Sequence, residues 1–204
     1  MVGHTVEHPS LRVPSVEIDL SDVRFAVVDV ETSGLSLRRH HVLQVGLVVV
    51  DSAGAVLDRW SSLVAPRNRW FFRVGPTHLH GIRRRDARNA PPAEQVLREL
   101  AQRLRGARFV AHNADFDLAF LRKVATRAGI PVPLDGGLCT LRLSRELDPD
   151  RCLSHRLVDL CARYDIPLTS PHDALADADA TAAVLPHLLR AHGLVGGGQL
   201  GAAS

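Results

Sequence analysis

The chain has 204 residues, of which 46% are hydrophobic and 23% charged, enough for one domain with a sizeable core and too few for two ordinary ones, and unlike disordered or fibrous chains. A net charge of +3 and a pI near 9.1 are compatible with a polyanionic partner without requiring one. No apolar run approaches the length of a membrane span, and Cys139, Cys152 and Cys161 form neither an even disulfide framework nor a C-x-x-C zinc pair, so they read as reduced and mostly packing residues.

Residues 1–21 carry scattered polar residues, histidines and prolines without a sustained period, and are expected to be a flexible N-terminal extension. They lack the continuous apolar segment of a secretory signal, so a cytoplasmic protein is expected. The domain itself is expected over residues 22–192, with a flexible glycine-rich tail over 193–204.

Within the domain, the valine-rich run Phe25–Val30 predicts a strand buried on both faces. Val42–Val50 and Ala55–Val64 predict two more strands, and the Asp51–Gly54 stretch between them has the chemistry of a hairpin turn. The pattern then changes. Glu94, Val96, Leu97, Leu100 and Leu104 mark a helical stripe behind Pro91 and Pro92, Arg108–Ala111 a short strand, and Phe116, Phe120, Leu121 and Val124 a helix that Gly129 ends. Leu157, Leu160, Cys161 and Tyr164 mark another helix before Pro167, and a final helix starts near Asp173 with a kink or break expected at Pro186. An antiparallel meander followed by alternating helices and strands implies an α/β domain, a mixed sheet covered by helices.

Three segments carry candidate chemistry. In VVDVETSGL, strand alternation puts Asp29 and Glu31 on one face and Val28 and Val30 on the other. Two carboxylates so close repel, and a hard divalent cation with oxygen ligands is the natural remedy. In AHNADFDLAFL, Asn113 and Asp115 are placed to cap a helix start, whereas Asp117 lies further in and needs another reason. In PHDALADADAT, Asp173 is the expected N-cap, Asp177 sits one turn inside, and His172 can share a site with it only from the preceding loop. A loop histidine that titrates near neutrality can accept a proton from water.

Together VVDVETSGL, HNADFDLAFL and HDALADADAT resemble, in order and spacing, the three motifs of the DEDDh exonucleases, the superfamily that includes the proofreading subunit of bacterial DNA polymerase III. The resemblance implies a ribonuclease H-like fold, with a mixed five-stranded sheet of meander and parallel strands flanked by helices. It implies two Mg²⁺ or Mn²⁺ ions held by Asp29, Glu31, Asp117 and Asp177, with His172 as general base. The implied substrate is a single-stranded nucleic-acid 3′ end, released as nucleoside 5′-monophosphates. Thr32, Ser33, Gly34 and Leu35, with His112 and Asn113, fall where the family binds substrate, and Leu35 is open between a base contact and the core. Asp115, Asp173 and Asp179 do not match ligand positions. Arg38–His41 and Arg83–Arg85 are two basic stretches open to reading as phosphate contacts or solvated loops.

DNA is the expected substrate. An RNA-directed exonuclease of the oligoribonuclease or tRNA-trimming type uses the same five residues, and a non-catalytic 3′-end-binding or polymerase-scaffold module is the reading of another class. No membrane partner is expected, and the short tail after His192 speaks against stable association with a polymerase. The oligomeric state is open.

Overall fold

In the computed structural model, which describes residues 23–194, the predicted meander is formed by β1 (Arg24–Thr32), β2 (Val42–Val50) and β3 (Val56–Leu63), paired antiparallel in sequence. β4 (Ala107–Ala111) adds parallel to the other side of β1, and β5 (Leu138–Cys139) adds parallel to β4, giving the order β3-β2-β1-β4-β5. The mixed five-stranded sheet expected from the sequence is therefore present. β2 is buried along its whole length, which is why it reads as an almost unbroken apolar run rather than an alternating one.

Helices cover both faces. α3 (Ala93–Arg103) and α4 (Ala114–Ala128) bury Val96, Leu97, Leu100, Phe120 and Leu121 against Ala26, Val28 and Val30 of β1. On the opposite face α5 (Thr140–Glu146), α6 (Leu157–Arg163) and α7 (Ala174–Ala191) set Leu143, Leu160, Leu185, Leu188 and Leu189 against Phe25, Val27 and Val48. β1 thus divides the core, and its alternation decides which side chains meet which helices.

The connection from β3 to α3 holds two short helices that the sequence did not reveal, α1 (Thr77–His80) and α2 (Arg84–Asn89). Neither is long enough to show an apolar stripe. Arg83–Arg85 accordingly stand at the entry to α2 and not in a loop, with the Arg83 N–H donating to the Asp86 carboxylate at 3.0 Å. At α7 the sequence predicts a kink or break at Pro186, yet the helix continues to Ala191. The buried side chains of Val184, Leu185, Leu188 and Leu189 hold that segment on the sheet despite the backbone hydrogen bond that proline removes.

The predicted extension over residues 1–21 and the tail from 195 lie outside the described residues. The described chain runs past the expected boundary at His192: Gly193 adopts a left-handed φ of 69°, and Leu194, placed by the sequence in the tail, is buried and donates its N–H to the Leu189 carbonyl at 2.9 Å. Among the described residues no helix is long and apolar enough to cross a membrane.

Candidate active site

β1 outruns its parallel neighbour. It pairs with β4 only from Arg24 to Val27, but with β2 as far as Thr32. Its last residues therefore have an open edge on the β4 side, and backbone groups there need partners from elsewhere. Asp117, in the first turn of α4, supplies one: its Oδ1 accepts the Val30 N–H at 3.2 Å, and the residue is only 3% exposed. This is the reason for Asp117 that helix capping did not give.

The expected capping at the start of α4 is not made. Asn113 holds the N-cap position in the left-handed region, φ 76° and ψ 51°, and its side chain bonds no free amide there, while Asp115 is exposed. Asp173 does cap α7, its Oδ1 accepting from the Leu175 and Ala176 amides at 3.1 Å. Asp179 is tied to Arg59 at 2.7 Å.

Asp29 and Glu31 face α7, on the opposite side of β1 from Val28 and Val30. In the β1–β2 register Asp29 lies across from Gly46 and Glu31 across from Gln44. Both β2 residues position α7, and neither was singled out by the sequence reading. A Cβ on Gly46 would stand 2.1 Å from the Ala174 carbonyl oxygen, so only glycine lets the helix start approach the strand. Gln44 donates its Nε2 to Asp173 Oδ2 at 3.0 Å and to Ser61 Oγ at 3.1 Å, and its Oε1 accepts from the Ala174 amide at 3.4 Å. A lone glycine inside a buried valine-rich strand is the sequence signal that marks such a close approach. Gly46→Ala is expected to cost about 2 kcal/mol or more and to shift Asp177 away from Asp29. Denaturant melts and an activity assay check this, and a variant that keeps both stability and activity would remove Gly46 from the account.

Asp177 lies one turn into α7, and its Oδ2 accepts the main-chain N–H of His172 at 3.1 Å. His172 is exposed on the preceding turn with a φ of 67°. One donor atom each from Glu31, His172 and Asp177 lie within 4.8 Å of one another. Glu31, His172 and Asp177 thus come together, and Asp29 and Asp117 lie near enough for their charges to act on one another and on Glu31, so the residues singled out by the sequence converge from one strand, two helices and a turn.

Burial first, then the charges of Asp117, Asp177, Glu31 and Asp173, push the Asp29 carboxyl far above its ordinary range. Burial and the neighbouring Asp177 and Asp173 carry Glu31 from 4.5 to about 8. Asp117 and Asp177 are also raised, chiefly by burial, and the hydrogen bonds from the backbone amides of Val30 and His172 offset part of that. Ionising all of these carboxylates together is unfavourable without a compensating positive charge. Crowded oxygen donors fit a hard divalent cation such as Mg²⁺ or Mn²⁺.

A pH dependence follows for the metal-free protein. A carboxyl raised on folding favours the folded state only while protonated, so this contribution is complete below the ordinary pKa of 4.5 and is lost as pH rises toward the folded value of about 8. Thermal melts in EDTA should fall across that window, and added Mg²⁺ should restore more stability at its alkaline end than at its acidic end. A metal-induced shift that is the same at both ends would show that the acids do not hold the ion.

The segment after β1 forms the rim. Thr32 and Ser33 are buried; Thr32 Oγ1 donates to the Gly34 carbonyl at 2.9 Å, and Ser33 exchanges backbone and side-chain bonds with His41. Leu35 is 84% exposed, which removes the core reading for it. The following turn is held by His40, whose Nδ1 accepts the Ser36 amide at 2.9 Å, and by Lys123, whose ammonium donates to the Leu37 and His40 carbonyls at 2.5 and 2.6 Å. Arg38 and Arg39 are exposed. On the turn from β4 to α4, His112 bonds Thr140 Oγ1 at 3.0 Å, and burial lowers its pKa to about 4, so it is neutral at pH 7. Asn113 lines a depression of about 270 Å³ with Asp115, Arg142, Arg145 and Arg151.

The exonuclease family model RNase_T matches residues 26–185, a span that holds all five converging residues. A DNA polymerase III of PolC type from Halalkalibacterium halodurans is 35% identical over 173 residues, which is 85% of this chain and 12% of that polymerase. Among solved structures, E. coli exonuclease I in complex with a dT13 oligonucleotide superposes with a TM-score of 0.72 at 19% identity, covering 85% of this chain and 42% of that one. Exonuclease X in complex with 5′ overhanging duplex DNA gives 0.63 at 26% identity, covering 84% of this chain and 93% of that one. The sheet order and flanking helices are those of the ribonuclease H-like exonuclease fold. On the family match and the motif order together, this chain belongs to the RNase_T exonuclease family and is a member of the DEDDh-type 3′-5′ exonuclease superfamily.

Proposed function

We propose that the domain hydrolyses phosphodiester bonds at the 3′ ends of DNA and releases nucleoside 5′-monophosphates, with two Mg²⁺ or Mn²⁺ ions held by Asp29, Glu31, Asp117 and Asp177. The observation that carries this reading is the burial of these mutually repelling acids around the free end of β1, beside an exposed histidine. When bound, divalent cations supply the positive charge that activates water and offsets the charge on the departing 3′ oxygen. The protein holds the acids in place: Asp29 and Glu31 on a strand at the centre of the sheet, Asp117 through the Val30 amide, Asp177 through the amide of His172. The His172 imidazole, free on the solvent side, takes the proton of the attacking water. The preformed turn from Thr32 to Leu35 receives the terminal nucleotide, with the exposed Leu35 side chain against its base, and His112 and Asn113 flank the next position.

DNA is favoured because the PolC-type relative is a DNA polymerase and the exonuclease X structure holds DNA. The deciding experiment uses 5′-labelled single strands of DNA and RNA with Mg²⁺, with and without EDTA, and chromatography of the products. Stepwise shortening from the 3′ end, release of 5′-mononucleotides from DNA in preference to RNA, and complete inhibition by EDTA are expected. Internal cuts or EDTA-resistant cleavage would refute the reaction, and faster trimming of RNA would move the domain to the RNA-directed branch.

A further inference from the structure

A second concave surface lies beside the rim of the candidate site. The chain between β3 and α1 borders a groove of about 950 Å³, closed on its other sides by the start of α3 and the C-terminal half of α4. Trp70 and Phe71 line it, yet they are 69% and 86% exposed, the largest apolar side chains on this part of the surface. A loop free to fold inward would bury two such rings.

This loop is tied in place by polar contacts. Asn68 Oδ1 accepts the amides of Trp70 and Phe71 at 3.0 and 2.9 Å. Arg69 donates to the Arg88 and Ala90 carbonyls at 2.5 and 3.4 Å, and Arg84 donates to the Trp70 carbonyl while lying 5.3 Å from the centre of the Phe72 ring. The two rings are therefore displayed by a built loop, and exposed aromatic surface so presented marks a binding face.

Charge selects the occupant. Arg67, Arg69 and Arg127 line the groove against one acid, Glu94, and Arg88 sits 5.4 Å over the Trp70 ring. Aromatic platforms between arginines match the stacked bases and phosphates of a single strand, whose bases all offer a π face. The groove is also tied to the segment after β1: His41, which lines it, shares a hydrogen-bonded pair with Ser33. Gly75, at the end of the aromatic loop, passes so near the same residue that a Cβ there would stand 2.2 Å from the Ser33 carbonyl oxygen. Arg127 lies about 15 Å farther along α4 than Asp117, by the helical rise.

We propose that this groove binds the same nucleic-acid single strand several nucleotides upstream of its 3′ end, stacking bases on Trp70 and Phe71 and pairing phosphates with Arg67 and Arg127. The inference rests on the reading of the carboxylate cluster as an exonuclease site. It makes affinity depend on strand length and salt, whereas cleavage of a strand too short to reach the groove depends only on the cluster.

The test compares fluorescence anisotropy of 5′-labelled oligothymidylates of about 4 and about 16 nucleotides, lengths that bracket typical single-strand sites, in EDTA so that the strands stay intact. The wild-type chain and the variants Trp70→Ala/Phe71→Ala and Arg127→Ala are used. Both variants should weaken the long strand by about 10-fold or more while leaving the short strand's binding, and its cleavage in Mg²⁺, at the wild-type level. Circular dichroism melts confirm that each variant is folded, and Arg127→Ala, on a rigid helix, keeps the test valid should the loop variant melt early. Long-strand binding unchanged in Arg127→Ala and in a folded loop variant overturns the proposal and leaves the rings to a protein partner. A wild-type chain that cleaves both lengths but binds them equally overturns the groove alone. A wild-type chain that neither binds nor cleaves either strand overturns the exonuclease reading with it.

Discussion

Asp29→Asn is expected to lower turnover by at least ~10³-fold, a loss of about 4 kcal/mol in transition-state stabilisation, while making the metal-free protein more stable. The two effects have one cause. Asp29 sits among the other acids, and its ionised form is opposed by burial and by Asp117, Asp177, Glu31 and Asp173. Asparagine keeps the shape and removes the charge. The sign follows from the raised pKa: the wild-type carboxyl weakens the fold at any pH at which it is driven to ionise, so the gain in the variant should be greatest in alkaline EDTA and should vanish in acid, where the wild-type group is protonated too. Paired denaturant titrations at the two ends of the range, beside a rate assay, measure both. A variant that is inactive and also less stable in EDTA would mean that Asp29 serves the fold and not a cation.

For the histidine the informative change is His172→Asn. Alanine at a φ of 67° adds backbone strain to the loss of the imidazole, whereas asparagine tolerates that conformation and leaves the main-chain N–H free to hold Asp177. Turnover should drop by roughly 10² to 10⁴-fold, the usual contribution of a general base, with Mn²⁺ affinity by calorimetry nearly unchanged. The flattening of the pH–rate profile on its acidic limb is the signature of a lost base. The close approach of Glu31, His172 and Asp177 makes the alternative concrete: if Mn²⁺ binding weakens as much as turnover, the imidazole is a ligand and not the base.

The parts of the site visible in the sequence are those whose physics is local. Alternation alone puts Asp29 and Glu31 on one side of β1, and a proline before His172 places that residue on a turn ahead of Asp177. What the sequence hides is set by neighbours distant along the chain. Asp117 stands out in the sequence as an acid that capping does not explain, but its bond to Val30 appears only when β4 is seen to stop short and leave an amide for it to accept. Gln44 and Gly46 look like interruptions in an apolar strand until α7 is seen to rest on them. Asn113 has the residue type of a cap without the conformation of one. The same limit hid α1 and α2, too short to carry a period, and Lys123, whose partners lie far away in sequence on the turn after β1. Pro186 was overridden by packing.

The division of the candidate site between the central strand and an exposed turn sets how the protein will fail under heat. Ala26 and Val27 are paired with both β2 and β4, and Asp29 and Glu31 continue the same strand, so these two acids separate only when the sheet itself opens. His172 depends on a few contacts at the surface, and such segments open locally at a fraction of the global unfolding free energy. On the roles proposed here, warming or mild denaturant dismantles the proton-accepting turn first, and activity disappears while the spectroscopic marks of the fold persist. Storage half-life as an enzyme is then governed by the Pro171–Asp173 turn, and engineering for durability belongs there, not in a core that is already the last part to go.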